Sequence, residues 1–186
     1  MKPIEIKEKL EDCPVIAAVR HDGFDDAVNS ECGVIFLLEA DVITIRDVLR
    51  IAHSKNKCVL VHIDLMHGIG KDKCGVEYLA ALGADGIITT KSALVKNAKD
   101  VGITAIQRCF ALDSQGVESI GEMIRSSKPD FIEIMPGVIG KVIEKFASDN
   151  IPVIAGSLVE TKAEVISALG YGALAVSTGS KKLWNE

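Results

Sequence analysis

Two short stretches decide the fold of this chain: residues 151–158, IPVIAGSL, and residues 173–180, ALAVSTGS. Each is an apolar run that ends in small residues carrying Gly and Ser, and a helical pattern at 160–169 lies between them. Small residues let backbone N–H groups approach an anion, and a helix that starts just beyond adds the positive end of its dipole. Two such strand–turn–helix units in succession match the last two units of a (β/α)₈ barrel, where a phosphate is commonly held. The pattern predicts an anion held by Gly156, Ser157, Thr178, Gly179 and Ser180. Taken singly, each stretch also reads as an ordinary tight turn.

Upstream, the same kind of apolar run recurs. Runs begin near Pro14 (PVIAAV), Gly33 (GVIFLL), Cys58 (CVLVHI), Asp85 (DGIITT), Thr104 (TAIQRCF) and Asp130 (DFIEIM), which with Ile151 and Ala173 makes eight, spaced 19 to 27 residues apart. Helical patterns fill most gaps. Val48, Leu49 and Ala52 share one face, as do Val117, Ile120, Met123 and Ile124, and then Val138, Ile139, Val142, Ile143 and Phe146. These are the three- and four-residue spacings of amphipathic helices. Strand–helix alternation implies parallel strands with right-handed crossovers. The expectation is an α/β fold, a small TIM-like (β/α)₈ barrel formed as a single domain over residues 1–186. Its first helix (22–30) and last helix (180–184) are abbreviated. An open doubly wound sheet is the alternative.

Composition agrees. Hydrophobic residues make up 48% of the chain and aromatic residues only 4%, so the core is built from Val, Ile, Leu and Ala, as buried parallel strands require. No apolar stretch approaches the ~18 residues of a spanning helix. The charged N-terminus, MKPIEIKEKLED, is not a signal peptide. The five cysteines (Cys13, Cys32, Cys58, Cys74 and Cys109) form no CxxC, and they read as reduced core residues of a cytoplasmic protein. The net charge of −5 argues against broad nonspecific nucleic-acid binding, though not against a local basic face.

In a barrel, function gathers at the C-terminal ends of the strands. The polar residues falling there are Arg20, His62, Asp64, Lys91, Arg108 and Glu133, with the Ser and Thr residues of the last two turns. Arg108 and Glu133 stand inside apolar runs, where an unpaired charge is costly, so both should be paired. His62 reads as a hydrogen-bonded interior residue, and His53 and His67 as surface and loop residues. Asp64 with Glu133 is a conceivable acid–base or divalent-metal pair, and Lys91 a conceivable Schiff-base amine. No nucleophile–base pair or His–carboxylate metal motif accompanies them, so neither a catalytic residue nor a metal is assigned.

The strand-end motifs together resemble the glycerol-3-phosphate-responsive transcription antiterminator family of bacteria. The resemblance rests on PVIAAVR, CGVIFLLEADV, LVHIDLMHGIGKD, DGIITTK, QRCFALDS, DFIEIMPGV, IPVIAGSLV and GALAVSTGSKKLW, in the family's order and over nearly the whole chain. It implies a (β/α)₈-like domain that binds glycerol 3-phosphate as effector, with no other cofactor. The loaded protein would bind leader mRNA of glycerol-utilisation transcripts and prevent premature termination. On this reading the phosphate falls to Gly156, Ser157, Thr178, Gly179 and Ser180. Arg20, Asp64, Lys91, Arg108 and Glu133 supply polar contacts to the ligand, and Lys181 with Lys182 is the first candidate RNA contact. Other basic clusters are Lys71 with Lys73, and Lys91 with Lys96 and Lys99. No membrane partner is expected, and a homo-oligomer is left open. Two further readings stand beside this one: a phosphosugar-type barrel enzyme, either lyase or isomerase, and a metabolite-binding module with a protein partner.

Overall fold

The computed structural model describes residues 2–149 and 151–185. Among these, eight parallel strands close into a barrel in sequence order: β1 (Val15–Val19), β2 (Val34–Leu37), β3 (Cys58–His62), β4 (Gly86–Thr89), β5 (Thr104–Phe110), β6 (Phe131–Met135), β7 (Val153–Gly156) and β8 (Ala175–Thr178). The open sheet is excluded, because β1 pairs with β8 as well as with β2. The helices are α1 (Pro3–Asp12), α2 (Phe24–Asn29), α3 (Ile45–Ser54), α4 (Lys73–Ala81), α5 (Ser92–Asp100), α6 (Ser114–Ser127), α7 (Gly140–Ala147) and α8 (Lys162–Gly170).

Strand alternation divides the core in two. Ile16, Phe36, Leu60, Ile88, Ile106, Phe131 and Ile154 point into the barrel. Their outward neighbours, such as Val59, Ile87, Ile132 and Val176, pack against the helices. The N-terminal segment is more than a charged leader. Pro3 starts α1 at a position that needs no N–H, and Ile6 and Leu10, one turn apart, are buried in the same cluster as the barrel interior. As α1 ends just before β1 begins, this helix plugs the N-terminal end of the barrel.

The two abbreviated helices occur where the sequence places them. Residues 22–30 become a 3₁₀ turn, His21–Gly23, and the short α2. The last unit ends in a 3₁₀ turn, Lys181–Asn185, which buries Leu183 and Trp184. Trp184 Nε1 donates to the Thr178 carbonyl at 2.9 Å, tying this turn to the end of β8. One helix differs from its pattern: α7 starts at Gly140, so Ile139 is its N-cap and Val138 is exposed in the preceding loop.

Aspartates organise the two ends of the barrel. Asp85 and Asp130, just before β4 and β6, accept the N–H groups of Val59 and Ala105 and pair with His53 and Lys99. At the other end, Asp72 and Asp113 cap α4 and α6 by accepting from Gly75 and Gly116, each within the same Asp-x-x-Gly-Val-Glu sequence. The five cysteines are free thiols; Cys32, Cys58 and Cys109 are buried, but Cys74 is exposed on α4 and is not a core residue.

Candidate ligand site at the barrel mouth

The last two strand–helix connections and the first meet over one cavity of about 990 Å³ at the C-terminal end of the barrel. Ser157, Thr178, Gly179 and Ser180 line it, together with Arg20, Arg108, Glu133, Lys181, Lys182 and Trp184. Gly156 does not. It faces inward on β7 beneath the cavity, where a Cβ would stand 2.6 Å from Glu133 Oε1 and 2.9 Å from Ser177 Oγ. Glycine is needed there to make room for a carboxylate.

That carboxylate organises the floor. Arg108 Nε donates to Glu133 Oε2 at 2.6 Å, and Ser177 Oγ donates to Oε1 at 2.6 Å. Glu133 is 1% and Arg108 8% exposed, and they sit side by side in the β5–β6 register. The pairing expected of two charges inside apolar strands is therefore direct. Only Nε of Arg108 is used in this way. Its two terminal nitrogens have no protein partner among the described residues.

The wall is a strained turn. Ser157 and Leu158 both have positive φ, 66° and 60°, a left-handed conformation that costs non-glycine residues energy. The Gly137 N–H holds the turn, donating to the carbonyls of Gly156 at 2.6 Å and Ser157 at 3.1 Å. On the facing turn, Thr178 Oγ1 donates to the Val159 carbonyl at 2.6 Å and accepts the Ser180 N–H at 3.0 Å, so its hydroxyl is already engaged. The hydroxyls of Ser157 and Ser180 have no protein partner among the described residues. The helix dipole expected beyond β7 is not free either. Glu164 accepts the N–H groups of Glu160 and Thr161 in a capping box, which holds its carboxyl below the usual range.

Two predicted contacts lie elsewhere. Asp64, in the turn after β3, accepts from Thr89 Oγ1 at 2.9 Å, Thr90 N at 2.7 Å and Thr90 Oγ1 at 3.0 Å, and it does not line the cavity. Lys91 is exposed at the start of α5, also outside the lining. Asp64 and Glu133 therefore serve different partners. No cluster with metal-ligand character is present among the described residues. Arg20 is at the rim, 3.6 Å from Glu39. Lys181 reaches Asp26 of α2 at 2.5 Å, whereas Lys182 forms no ion pair among the described residues.

Sequence reasoning missed two features. Trp184, the chain's single tryptophan, lines the cavity and anchors its last turn. His62 is interior as expected, but it is 4% exposed and neither ring nitrogen has a hydrogen-bond partner among the described residues. Burial, then the nearby Arg108 charge, push its pKa down to about 4.

The chain matches the profile of the family described as "Glycerol-3-phosphate responsive antiterminator" over residues 15–184. Among solved structures, it is similar to the glycerol uptake operon antiterminator regulatory protein from Listeria monocytogenes str. 4b F2365. Identity to that protein is 32%, over 93% of this chain and 95% of that one, with a TM-score of 0.88. It is also similar to a glycerol uptake operon antiterminator-related protein from Thermotoga maritima MSB8, at 36% identity over 91% and 96% of the two chains and a TM-score of 0.83. A deoxyribose phosphate aldolase from Aeropyrum pernix has the same fold at 13% identity, over 96% and 89% of the two chains, with a TM-score of 0.69. No helix among the described residues is long and apolar enough to cross a membrane.

Proposed function

The chain belongs to the glycerol-3-phosphate responsive antiterminator family, and from that premise we propose that it binds glycerol 3-phosphate at the barrel mouth and, once loaded, binds leader mRNA to prevent premature termination of glycerol-utilisation transcripts. The observation that carries this reading is the convergence of unengaged donors on one cavity. Ser157, Ser180 and Arg108 line the cavity beside the β7 and β8 turns, and neither the two hydroxyls nor the terminal nitrogens of Arg108 have a protein partner among the described residues. Arg20 and Lys182 add positive charge at the rim. A phosphate dianion is bound best by such charge-assisted hydrogen bonds in a partly desolvated site.

The same geometry supports a regulator without turnover. Both oxygens of Glu133 and all of Asp64's near donors are accounted for by protein partners, so neither carboxylate stands free as a base. Lys91 lies outside the cavity, away from any Schiff-base role on a ligand bound there.

Titration calorimetry with glycerol 3-phosphate tests the first half of the reading. Replacing both Ser157 and Ser180 with Ala should weaken binding by about tenfold or more, the worth of one to two hydrogen bonds to a charged group. Unchanged affinity would remove the phosphate from these turns. Gel-shift titration of a glycerol-gene leader RNA tests the second half, and equal RNA affinity with and without glycerol 3-phosphate would leave a metabolite-binding barrel only.

A further inference from the structure

Away from the ligand cavity, two of the chain's thiols meet. Cys13 follows α1 and Cys32 follows α2, each just ahead of one strand of the β1–β2 pair. That register pairs Ala17 with Ile35, and carried back to the strand entries it sets Pro14 level with Cys32 and Cys13 next to it. Neighbouring strands run about 4.8 Å apart, within the Cα spacing that a disulfide spans. Both cysteines pack in the layer between strands and helices. The Cys13 sulfur is hydrogen-bonded by the Cys32 thiol and by the Gly33 N–H. Lys57 stands over the pair, donating through Nζ to the carbonyls of Cys32, at 3.0 Å, and Ser30. Cys32 is wholly buried and Cys13 half-buried, so a small oxidant reaches the pair through Cys13.

The other buried cysteines behave as inert core residues. Burial pushes the Cys109 thiol up to about 12 and that of Cys58 well above its usual range. Cys13 goes the other way, down to about 6, chiefly through the hydrogen bond from Cys32, with the Lys57 charge adding to it. A thiolate is the reactive form of cysteine, and a thiolate in contact with a second thiol is the arrangement from which disulfides form. The Cys32 thiol also has an acceptor on its far side, the Trp184 carbonyl at 3.5 Å. Beside it the Glu31 N–H donates to Asn185 Oδ1 at 3.2 Å. The entry to β2 is thereby tied to the C-terminal 3₁₀ turn, whose Trp184 lines the mouth.

We propose that Cys13 and Cys32 are a modification site, a dithiol that a hydroperoxide converts reversibly into a disulfide, and that the change reaches the mouth through Trp184. With hydrogen peroxide, the Cys13 thiolate attacks one oxygen and the O–O bond breaks. Cys13 becomes a sulfenic acid, and the other oxygen leaves as hydroxide and takes up a proton. The Cys32 sulfur then attacks the Cys13 sulfur, the S–O bond breaks, and the departing hydroxide leaves with the Cys32 proton as water. The two sulfurs have lost two electrons, and the peroxide has become two waters. Cys32 then has no S–H for the Trp184 carbonyl, and the turn loses one of its ties. A small dithiol reverses the change by exchange.

The test uses the whole chain in a Cys74→Ser background, which removes the exposed thiol on α4. Hydrogen peroxide should consume two of the remaining thiols, peptide mapping should find Cys13 joined to Cys32, and dithiothreitol should return both. Cys32→Ser should stop at a sulfenic acid on Cys13, captured by dimedone, and Cys13→Ser should leave Cys32 reduced. Trp184 is the chain's single tryptophan, so its emission reports on the turn. Emission should shift on oxidation, recover with dithiothreitol, and stay unmoved by peroxide in Cys13→Ser. Mapping is done with both cysteines in place, so it decides the matter whether or not a variant at the site folds. Both thiols still free after peroxide, or Cys13 oxidised beyond sulfenic acid with Cys32 untouched, overturns the dithiol. A Cys13–Cys32 disulfide with unmoved emission overturns the link to the mouth.

Discussion

Glu133 is a carboxylate at 1% exposure that survives because both of its oxygens are answered, one by Arg108 and one by Ser177. Removing one partner of such a buried pair strands the other charge. Glu133→Ala should therefore lower stability by ~3–5 kcal/mol, measured by urea unfolding. Gly156→Val reaches the same cluster from the other side. Its Cβ falls 2.6 Å from Glu133 Oε1, so the side chain must displace the carboxylate, and overpacking alone should cost about 1–3 kcal/mol. The distinguishing outcome is a fall in melting temperature without ligand; a Gly156→Val protein as stable as the wild type would mean the Glu133 pocket is loose.

His62 adds a pH dependence whose sign can be worked out. Its pKa is pushed from 6.5 in the unfolded chain to about 4 in the folded one. Above 6.5 both states are neutral and the residue contributes no pH dependence. Between 6.5 and about 4 the unfolded chain takes up a proton that the folded chain refuses, so stability falls as pH falls, by up to about 3 kcal/mol in all. Urea unfolding at pH 7 and pH 4.5 should show a smaller acid loss in His62→Gln than in the wild type.

Among the elements, α1 closes the N-terminal end of the barrel and the C-terminal 3₁₀ turn closes the β8 side of its mouth. The plug α1 brings Ile6 and Leu10 into the barrel interior, both essentially unexposed. Leu10→Ala leaves a cavity at the base of the barrel that the surrounding strands are too well tied to close, and should cost about 2–5 kcal/mol in urea unfolding. Ligand affinity should be unchanged, because the cavity is at the opposite end. The 3₁₀ turn is coupled to the ligand side instead. It follows the Thr178–Ser180 wall, is pinned by Trp184 to the Thr178 carbonyl, and touches α2 through Lys181 and Asp26.

For the whole molecule, the proposed switch is a coupling between a small anion in the mouth and an RNA on the surface. If glycerol 3-phosphate raises RNA affinity by some factor, RNA raises glycerol 3-phosphate affinity by the same factor, and calorimetry in the presence of leader RNA checks this directly. The chain carries a net charge of −5, so few phosphates can be neutralised, and RNA affinity should fall with salt much less steeply than for a basic RNA-binding domain. Lys182→Ala should weaken RNA binding more than Lys181→Ala, since Lys181 is held by Asp26.

Periodicity by itself determined the eight strands, their parallel sense, the short second and last helical segments, and the interior location of Arg108 and Glu133, because burial of alternating and three-to-four-spaced apolar residues is a local property of the chain. The motifs PVIAAVR to GALAVSTGSKKLW determined the family in the same way. What each polar residue touches was decided only by closure of the barrel. Gly156 makes room for Glu133, a residue 23 positions earlier that no local pattern links to it. Asp64 turns to Thr89 and Thr90, Glu164 occupies the helix end that seemed open to an anion, and α1 folds under the barrel although its sequence is largely charged. His62 lost its expected partners for the same reason. Hydrogen bonds between strands depend on which residues the closed sheet brings to one level, and that level is set by the register of all eight strands together.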